Sequence, residues 1–234
     1  MRIQHSITAL AILVASACAQ AAERPELAIG RNVLYDYDPP QPGSYQLPPL
    51  KPATDGRVLD SHGKVHQLKS LLEGRVTVLS FIYTRCNDPK ACPHATGVLY
   101  RLHQVSLKDP TIAENLQLIS FSFDPTHDTP AVMDSYSDRF DRASGGANWL
   151  FLTTRAQSDI APILQGYGQV VDRKANPNDA FGPYNHTLRV YLIDRKGIIR
   201  NIYSYGLFDA RLVMTDVRTL LMEERGRLAK VESR

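Results

Sequence analysis

Cysteine and tryptophan are scarce in this chain, with three of the first and one of the second in 234 residues. So few thiols exclude a disulfide-stapled scaffold: one bridge across a short loop adds only about 2 to 3 kcal/mol in the loop-entropy account. Basic runs are missing as well. No stretch of Lys or Arg exceeds two in a row and the net charge is +3, so there is no electrostatic footprint for nucleic acid or an acidic lipid surface. The uncharged run Ile7 to Ala17 is well short of the roughly 20 residues that a stable membrane-crossing helix needs. What remains is ordinary for one globular domain: 43% hydrophobic and 22% charged, enough to bury a sizeable core.

The start of the chain reads as an address. Arg2 precedes the uncharged run, and Ala19-Gln20-Ala21 offers small residues at the spacing signal peptidase needs. Residues 1–21 are therefore expected to be a secretory signal peptide cut near Ala21. Two alternatives stand beside this reading: retention of the run as an anchor, and lipidation at Cys18, where Ala15-Ser16-Ala17-Cys18 lacks the usual large aliphatic residue. Cleavage removes Cys18 and leaves Cys86 and Cys92 as the only thiols, exported to an oxidising compartment.

Residues 22–53 are rich in proline and tyrosine, and Pro39-Pro40, Pro42-Gly43 and Pro48-Pro49 oppose any regular element, so this is an extended arm. A hairpin is expected over Gly56 to Gln67 and a helical turn over Leu68 to Glu73. Val76 to Tyr83 is uncharged and rich in β-formers, the pattern of a strand buried on both faces; Leu116 to Phe123 is a second such strand. Trp149 to Leu152 is a third.

Helices are expected over Pro93 to Leu107, Ala131 to Arg142, Ile160 to Tyr167 and Leu207 to Arg225. Gln169 to Tyr184 shows no period and reads as a long loop. Leu188 to Asp194 and Ile198 to Tyr203 flank Arg195-Lys196-Gly197 as a hairpin, and residues 226–234 are a charged tail. A cysteine-bearing central strand, parallel neighbours and an antiparallel terminal hairpin define an α/β, thioredoxin-like sandwich over residues 54–225, its mixed sheet flanked by helices.

The chemistry lies just past the carboxyl end of the central strand. Cys86 and Cys92 are six positions apart, which on a continuous helix separates them by about 9 Å along the axis and about 120° around it. A disulfide needs Cα atoms within about 7 Å, so Asn87 to Ala91 has to be a loop. Two sulfurs on such a loop either bridge or converge on a soft metal, and a closed metal site needs a third ligand. His94, two residues after Cys92, and His186, where the long loop meets a buried strand, both compete for that place. His66 and His103 read as surface residues, His62 as a turn residue, and His127 follows Asp124-Pro125.

Four motifs in register carry a resemblance: Phe81 to Cys86 with Cys92-Pro93, Asp124 to Pro130, Trp149 to Thr153, and His186 followed by Tyr191 to Gly197. From about Thr54 to Met222 the chain resembles the Sco/SenC family. The resemblance implies a thioredoxin-like fold and a place at the periplasmic membrane face. It implies copper bound through Cys86, Cys92 and His186, with Asp124 orienting the histidine or tuning its basicity. The implied task is assembly of the dinuclear copper site of a cytochrome oxidase, as copper donor or as reductant of its cysteines.

The implied partners are the copper-site subunit of that oxidase or another periplasmic metalloprotein, together with a periplasmic thiol reductant. The sequence departs from the family pattern in having five residues between its cysteines instead of three. It also has His127 where Arg is frequent and Asn185 where Asp is common. Metallochaperone and thiol-disulfide oxidoreductase are thus two uses of one Cys86, Cys92 pair, and its reduction potential decides between them.

Overall fold

The computed structural model describes residues 37–140 and 145–232, the last six of these by backbone alone. The expected signal peptide, Cys18 and the first part of the arm lie outside the described residues. Among the described residues ten strands and six α-helices follow one another as β1 (Lys51–Pro52), β2 (Arg57–Asp60), β3 (Val65–Gln67), α1 (Leu68–Leu72), β4 (Val76–Ile82), α2 (Cys92–Ser106), α3 (Pro110–Asn115), β5 (Leu116–Ser122) and α4 (Pro130–Ser137). The second half adds β6 (Asn148–Thr153), α5 (Gln157–Tyr167), β7 (Val171–Arg173), β8 (Tyr184–His186), β9 (Val190–Ile193), β10 (Ile198–Tyr203) and α6 (Ala210–Glu232).

Eight strands form one mixed sheet in the order β1-β10-β9-β4-β5-β6-β2-β3. The uncharged runs become its centre. Every residue of β4 and β5 is buried, and the two strands run parallel in a register that puts Phe81 beside Phe121. β6 continues the parallel set, whereas β9 runs antiparallel on the other side of β4. Parallel strands covered on both faces show no apolar alternation, which is why these segments read as continuous hydrophobic runs.

Helix α2 packs on β4, β5 and α6, and α4 packs on β6. The ring of Phe81 meets Phe121, Tyr167 of α5 and Tyr191 of β9 at 5.2–6.0 Å between centroids. Two polar side chains of the central strands are paired inside the core: Trp149 donates to Ser120 at 3.1 Å and Gln117 to the Leu71 carbonyl at 2.6 Å. The β9–β10 turn is closed by Asp194, which accepts from Lys196 and Ile198 amides, with Gly197 at φ +76°. A residue with a side chain would be strained at that φ.

Several elements differ from the sequence expectation. Lys51–Pro52 of the arm pairs with β10, and the Arg200 guanidinium donates to the Leu47 carbonyl, so the described end of the arm lies across the domain. Helix α3, which the apolar periodicity does not mark, is capped by Asp109, which accepts from the Thr111 and Ile112 amides. Helix α6 does not stop at Arg225 but continues to Glu232, since Arg, Leu, Ala, Lys and Glu are good helix formers and the lone Gly226 is too weak a breaker.

His103, expected on the surface, is 3% exposed and lies 3.0 Å from the Ala147 carbonyl. The stretch that reads as one long loop holds β7, which pairs antiparallel with β8. Among the described residues no helix is long and apolar enough to cross a membrane.

Removing the Phe81 ring tests whether this cluster holds the sheet together. Phe81→Ala is expected to lower the unfolding free energy by about 3–5 kcal/mol in a denaturant titration. A loss below about 1 kcal/mol would place the core elsewhere.

Candidate metal centre

The strand β4 ends at Ile82, and the chain then turns so that the Cys86 amide donates to the Tyr83 carbonyl at 3.2 Å. Asp88 builds the next turn: its side chain accepts from the Lys90 amide at 2.9 Å and its carbonyl from the Ala91 amide at 3.0 Å. Asparagine, aspartate and proline between the cysteines favour such turns. Cys92 is then the first residue of α2, with Pro93 in the first turn. The expected loop between the cysteines is therefore present, and both thiols are free and buried.

His186 arrives from the far end of the chain. It is the last residue of β8, held in register opposite Val171 of β7. Its ring sits among aromatic rings, edge-on to Tyr83 at 5.6 Å and tilted against Phe123 at 5.2 Å. Nε2 points at both sulfurs, 3.6 Å from Cys92 Sγ and 4.0 Å from Cys86 Sγ. The three ligand atoms lie within 4.8 Å of one another.

The opposite nitrogen, Nδ1, is buried with no hydrogen-bond partner among the described residues. An imidazole with one nitrogen turned to sulfur and the other sequestered fits ligation through Nε2. Two sulfurs and one nitrogen form a donor set for a soft or borderline metal.

The other candidates fall away from this point. Two positions on α2 are about 200° apart around the axis, so His94 faces away from Cys92 and lies 3.1 Å from the Phe208 carbonyl. His66 pairs with Asp60 at 2.8 Å, and His62 and His127 are exposed. Asp124 is 1% exposed, but it does not hydrogen-bond His186. Its carboxylate accepts from the Tyr184 hydroxyl at 2.9 Å and from the Arg85 guanidinium at 2.8 Å. It therefore meets the histidine through Tyr184, two residues earlier on β8, and meets Cys86 through Arg85, its chain neighbour.

Gly182 closes the arrangement. At φ +100° its Cα comes so near the cysteine loop that an added Cβ would stand 2.4 Å from the Tyr83 hydroxyl and 2.8 Å from the Arg85 carbonyl. The neighbouring Phe181 carbonyl accepts from Tyr83 at 3.1 Å and from the Asn87 amide at 3.3 Å. The segment after β7 is thus fastened to the cysteine loop from outside. None of this is visible in the sequence except as an isolated glycine next to a proline.

The two thiols are electrostatically unequal. A hydrogen bond from Cys92 holds the Cys86 thiol well below its ordinary range, with His186 helping and burial opposing. Burial pushes the Cys92 thiol up, and the adjacent Cys86 charge adds to that. One proton thus leaves the pair readily and the second is retained. Cys86 also borders two surface openings: a cleft of about 160 Å³ with Lys174 and His186, and a groove of about 360 Å³ with Pro93, Tyr136 and Phe140. Cys92 is 1% exposed behind it.

A thioredoxin-like domain with a dithiol at the end of its central strand and an imidazole delivered from a late strand is the class that fold and site define. The chain belongs to the SCO1/SenC family, whose family model matches residues 56–222. It is similar to the SCO1 protein homolog of Bacillus subtilis (strain 168), 29% identical over 145 residues, which is 61% of this chain and 68% of that protein. It is also similar to the solved structure of BsSco, described with a disulfide switch as a member of the Sco family of cytochrome c oxidase assembly proteins. That match has a TM-score of 0.59 and 25% identity and covers 75% of this chain and 98% of that one. Bradyrhizobium japonicum ScoI with copper bound shares the fold with a TM-score of 0.57 at 23% identity, over 70% of this chain and 96% of that one.

The unequal thiols give a test in the metal-free reduced protein. Iodoacetamide is expected to label Cys86 before Cys92, at a rate nearly flat between about pH 6 and pH 8, since Cys86 stays ionised as pH falls through that window. An ordinary thiol, titrating near 8.5, slows about tenfold per pH unit below that value. Mass spectrometry of the labelled peptides reads the site, and first labelling at Cys92 or a steep pH profile would contradict the assignment.

Proposed function

We propose that this chain is a periplasmic copper-binding metallochaperone that holds copper at Cys86, Cys92 and His186 and serves the dinuclear copper site of a cytochrome oxidase. The observation that carries this reading is the meeting of two sulfurs and one imidazole nitrogen within 4.8 Å, from residues as much as 100 positions apart. Copper is the cargo of such a site: thiolates favour Cu(I), and imidazole accommodates Cu(II) as well. The copper of Bradyrhizobium japonicum ScoI and the oxidase-assembly role stated for BsSco support the same reading. Arg2, the uncharged run Ile7 to Ala17 and the small residues at Ala19-Gln20-Ala21 support export to the periplasm.

Each side chain then has a part. Cys86, at the border of two openings and already ionised, is the sulfur that an incoming ion or partner meets first. Cys92 completes the pair from beneath, and it gives up its proton when a second thiolate is needed. His186 Nε2 faces both sulfurs from across the cleft, and the rings of Tyr83 and Phe123 keep it there. Asp124 fixes the rim by holding Arg85 on one side and Tyr184 on the other.

The free, unequally ionised thiols also favour a second reading, thiol-disulfide exchange with a partner protein. In that sequence the Cys86 thiolate attacks one sulfur of a partner disulfide, forming a mixed disulfide and releasing a partner thiolate. His186 Nε2, 3.6 Å away, takes the Cys92 proton. Cys92 then attacks the Cys86 sulfur, which closes the Cys86–Cys92 bond and releases the second partner thiolate. The partner gains two electrons, and an external thiol reductant reopens the bridge.

Copper titration of the reduced protein separates the readings. One copper per chain is expected for wild type, loss of tight Cu(II) uptake for His186→Ala, and loss of uptake for Cys86→Ser. Undiminished uptake by His186→Ala would remove that residue from the site. A wild type that takes up no copper yet bridges reversibly on thiol counting would leave only the exchange reading.

A further inference from the structure

We infer that Asp128 is the positioning residue that fixes the cysteine loop, and that the geometry of Cys86 depends on its bonds to Thr84. Asp128 is fully buried and lies just before the N-terminus of α4, four residues after Asp124. Its carboxylate accepts from the Thr84 amide at 2.9 Å, from the Thr84 hydroxyl and from the Ser122 hydroxyl. Ser122 in turn accepts from the Asp124 amide at 3.1 Å, and the Asp128 amide donates to the Asp124 carbonyl at 2.8 Å. The ends of β4 and β5 are thereby tied together at the point where the cysteine loop departs.

Asp128 does this better than Asp124 can. The Asp124–Arg85 pair engages a guanidinium whose side chain is 46% exposed, so water competes for it and its worth is discounted. All three donors to Asp128 meet a carboxylate shielded from solvent, where bonds to a charged acceptor are stronger. They also act on backbone: one donor is the amide of Thr84, whose position sets the turn in which the Cys86 amide reaches the Tyr83 carbonyl. With five residues between the cysteines, the loop has more freedom than a single helical turn would allow. A fixed point two residues before Cys86 removes freedom at its entry, as the first turn of α2 does at Cys92.

The inference rests on the copper reading for its affinity arm only. Asp128→Asn removes the charge and one acceptor, Thr84→Val removes the hydroxyl donor at equal size, and Thr84→Ser keeps it. Amide hydrogen exchange in the metal-free reduced protein is the first readout. Cys86 in Thr84→Val, and both Thr84 and Cys86 in Asp128→Asn, are expected to exchange about tenfold faster or more, against unchanged amides in β4.

Copper affinity by chelator competition is the second readout, expected to weaken about 10- to 100-fold in both variants and to recover in Thr84→Ser. Should Asp128→Asn fail to fold by circular dichroism, Thr84→Val carries the test alone. Folded variants with wild-type exchange at these amides, or a Thr84→Ser protein as impaired as Thr84→Val, would overturn the inference. Faster exchange in a protein whose wild type takes up no copper would refute the copper reading and leave the clamp standing.

Discussion

The imidazole of His186 stands over two sulfurs because a short antiparallel ribbon holds it there. Register opposite Val171 fixes the residue along the strand, and edge contacts with Tyr83 and Phe123 fix the ring around it. Without that ribbon, a histidine 100 residues from Cys86 would have to be recruited from a loop at the full entropic cost of closing it. The sheet supplies the closure in advance: β4 delivers the cysteines and β9, its antiparallel neighbour, leads back to the ribbon. The cost of organising the site is thereby met during folding, and the three donors are already grouped in the folded protein.

A second feature follows from the same geometry. The site is bound to its scaffold by polar side chains that would be expensive to bury unpaired. Asp124 and Asp128, both buried, together accept from Arg85, Tyr184, Thr84 and Ser122. Gly182 lets the outer segment approach the cysteine loop where no other residue fits. The aromatic packing and the carboxylate bonds limit how far the donors can separate, yet Cys86 keeps an open side. The metallochaperone proposed above needs that combination, because a fully closed site could hold an ion but not pass it on.

Much of this is legible in the amino-acid order alone. Uncharged runs at Val76 and Leu116 locate the parallel centre of the sheet, and Arg195-Lys196-Gly197 locates the last hairpin. The spacing of Cys86 and Cys92 requires a loop, and a loop is there. Where sequence and structure part, the causes are definite. β7 carries Val171-Asp172-Arg173 on a mostly exposed ribbon, so no apolar pattern marks it, and a chain that is paired reads as a free loop. His103 shares the inward face of α2 with Leu99, Leu102 and Ser106, but a single imidazole does not register in a hydrophobic period.

His94 is near the sulfurs in sequence, and the helical rotation of α2 turns it away. Asp109-Pro110, an N-cap followed by proline at the first helical position, is a local signal for α3 that a search for apolar periods does not detect. Asp128 lies inside the Asp124 to Pro130 motif, yet its role depends on which backbone it meets across the sheet, and one-dimensional spacing does not carry that.

The most direct measurement of the central claim is X-ray absorption at the copper edge of the metal-loaded reduced protein. The account predicts two sulfur neighbours and one imidazole nitrogen around each copper, with the imidazole signature lost in His186→Ala. A first shell of oxygen and nitrogen only, or one with imidazole retained in that variant, would contradict it.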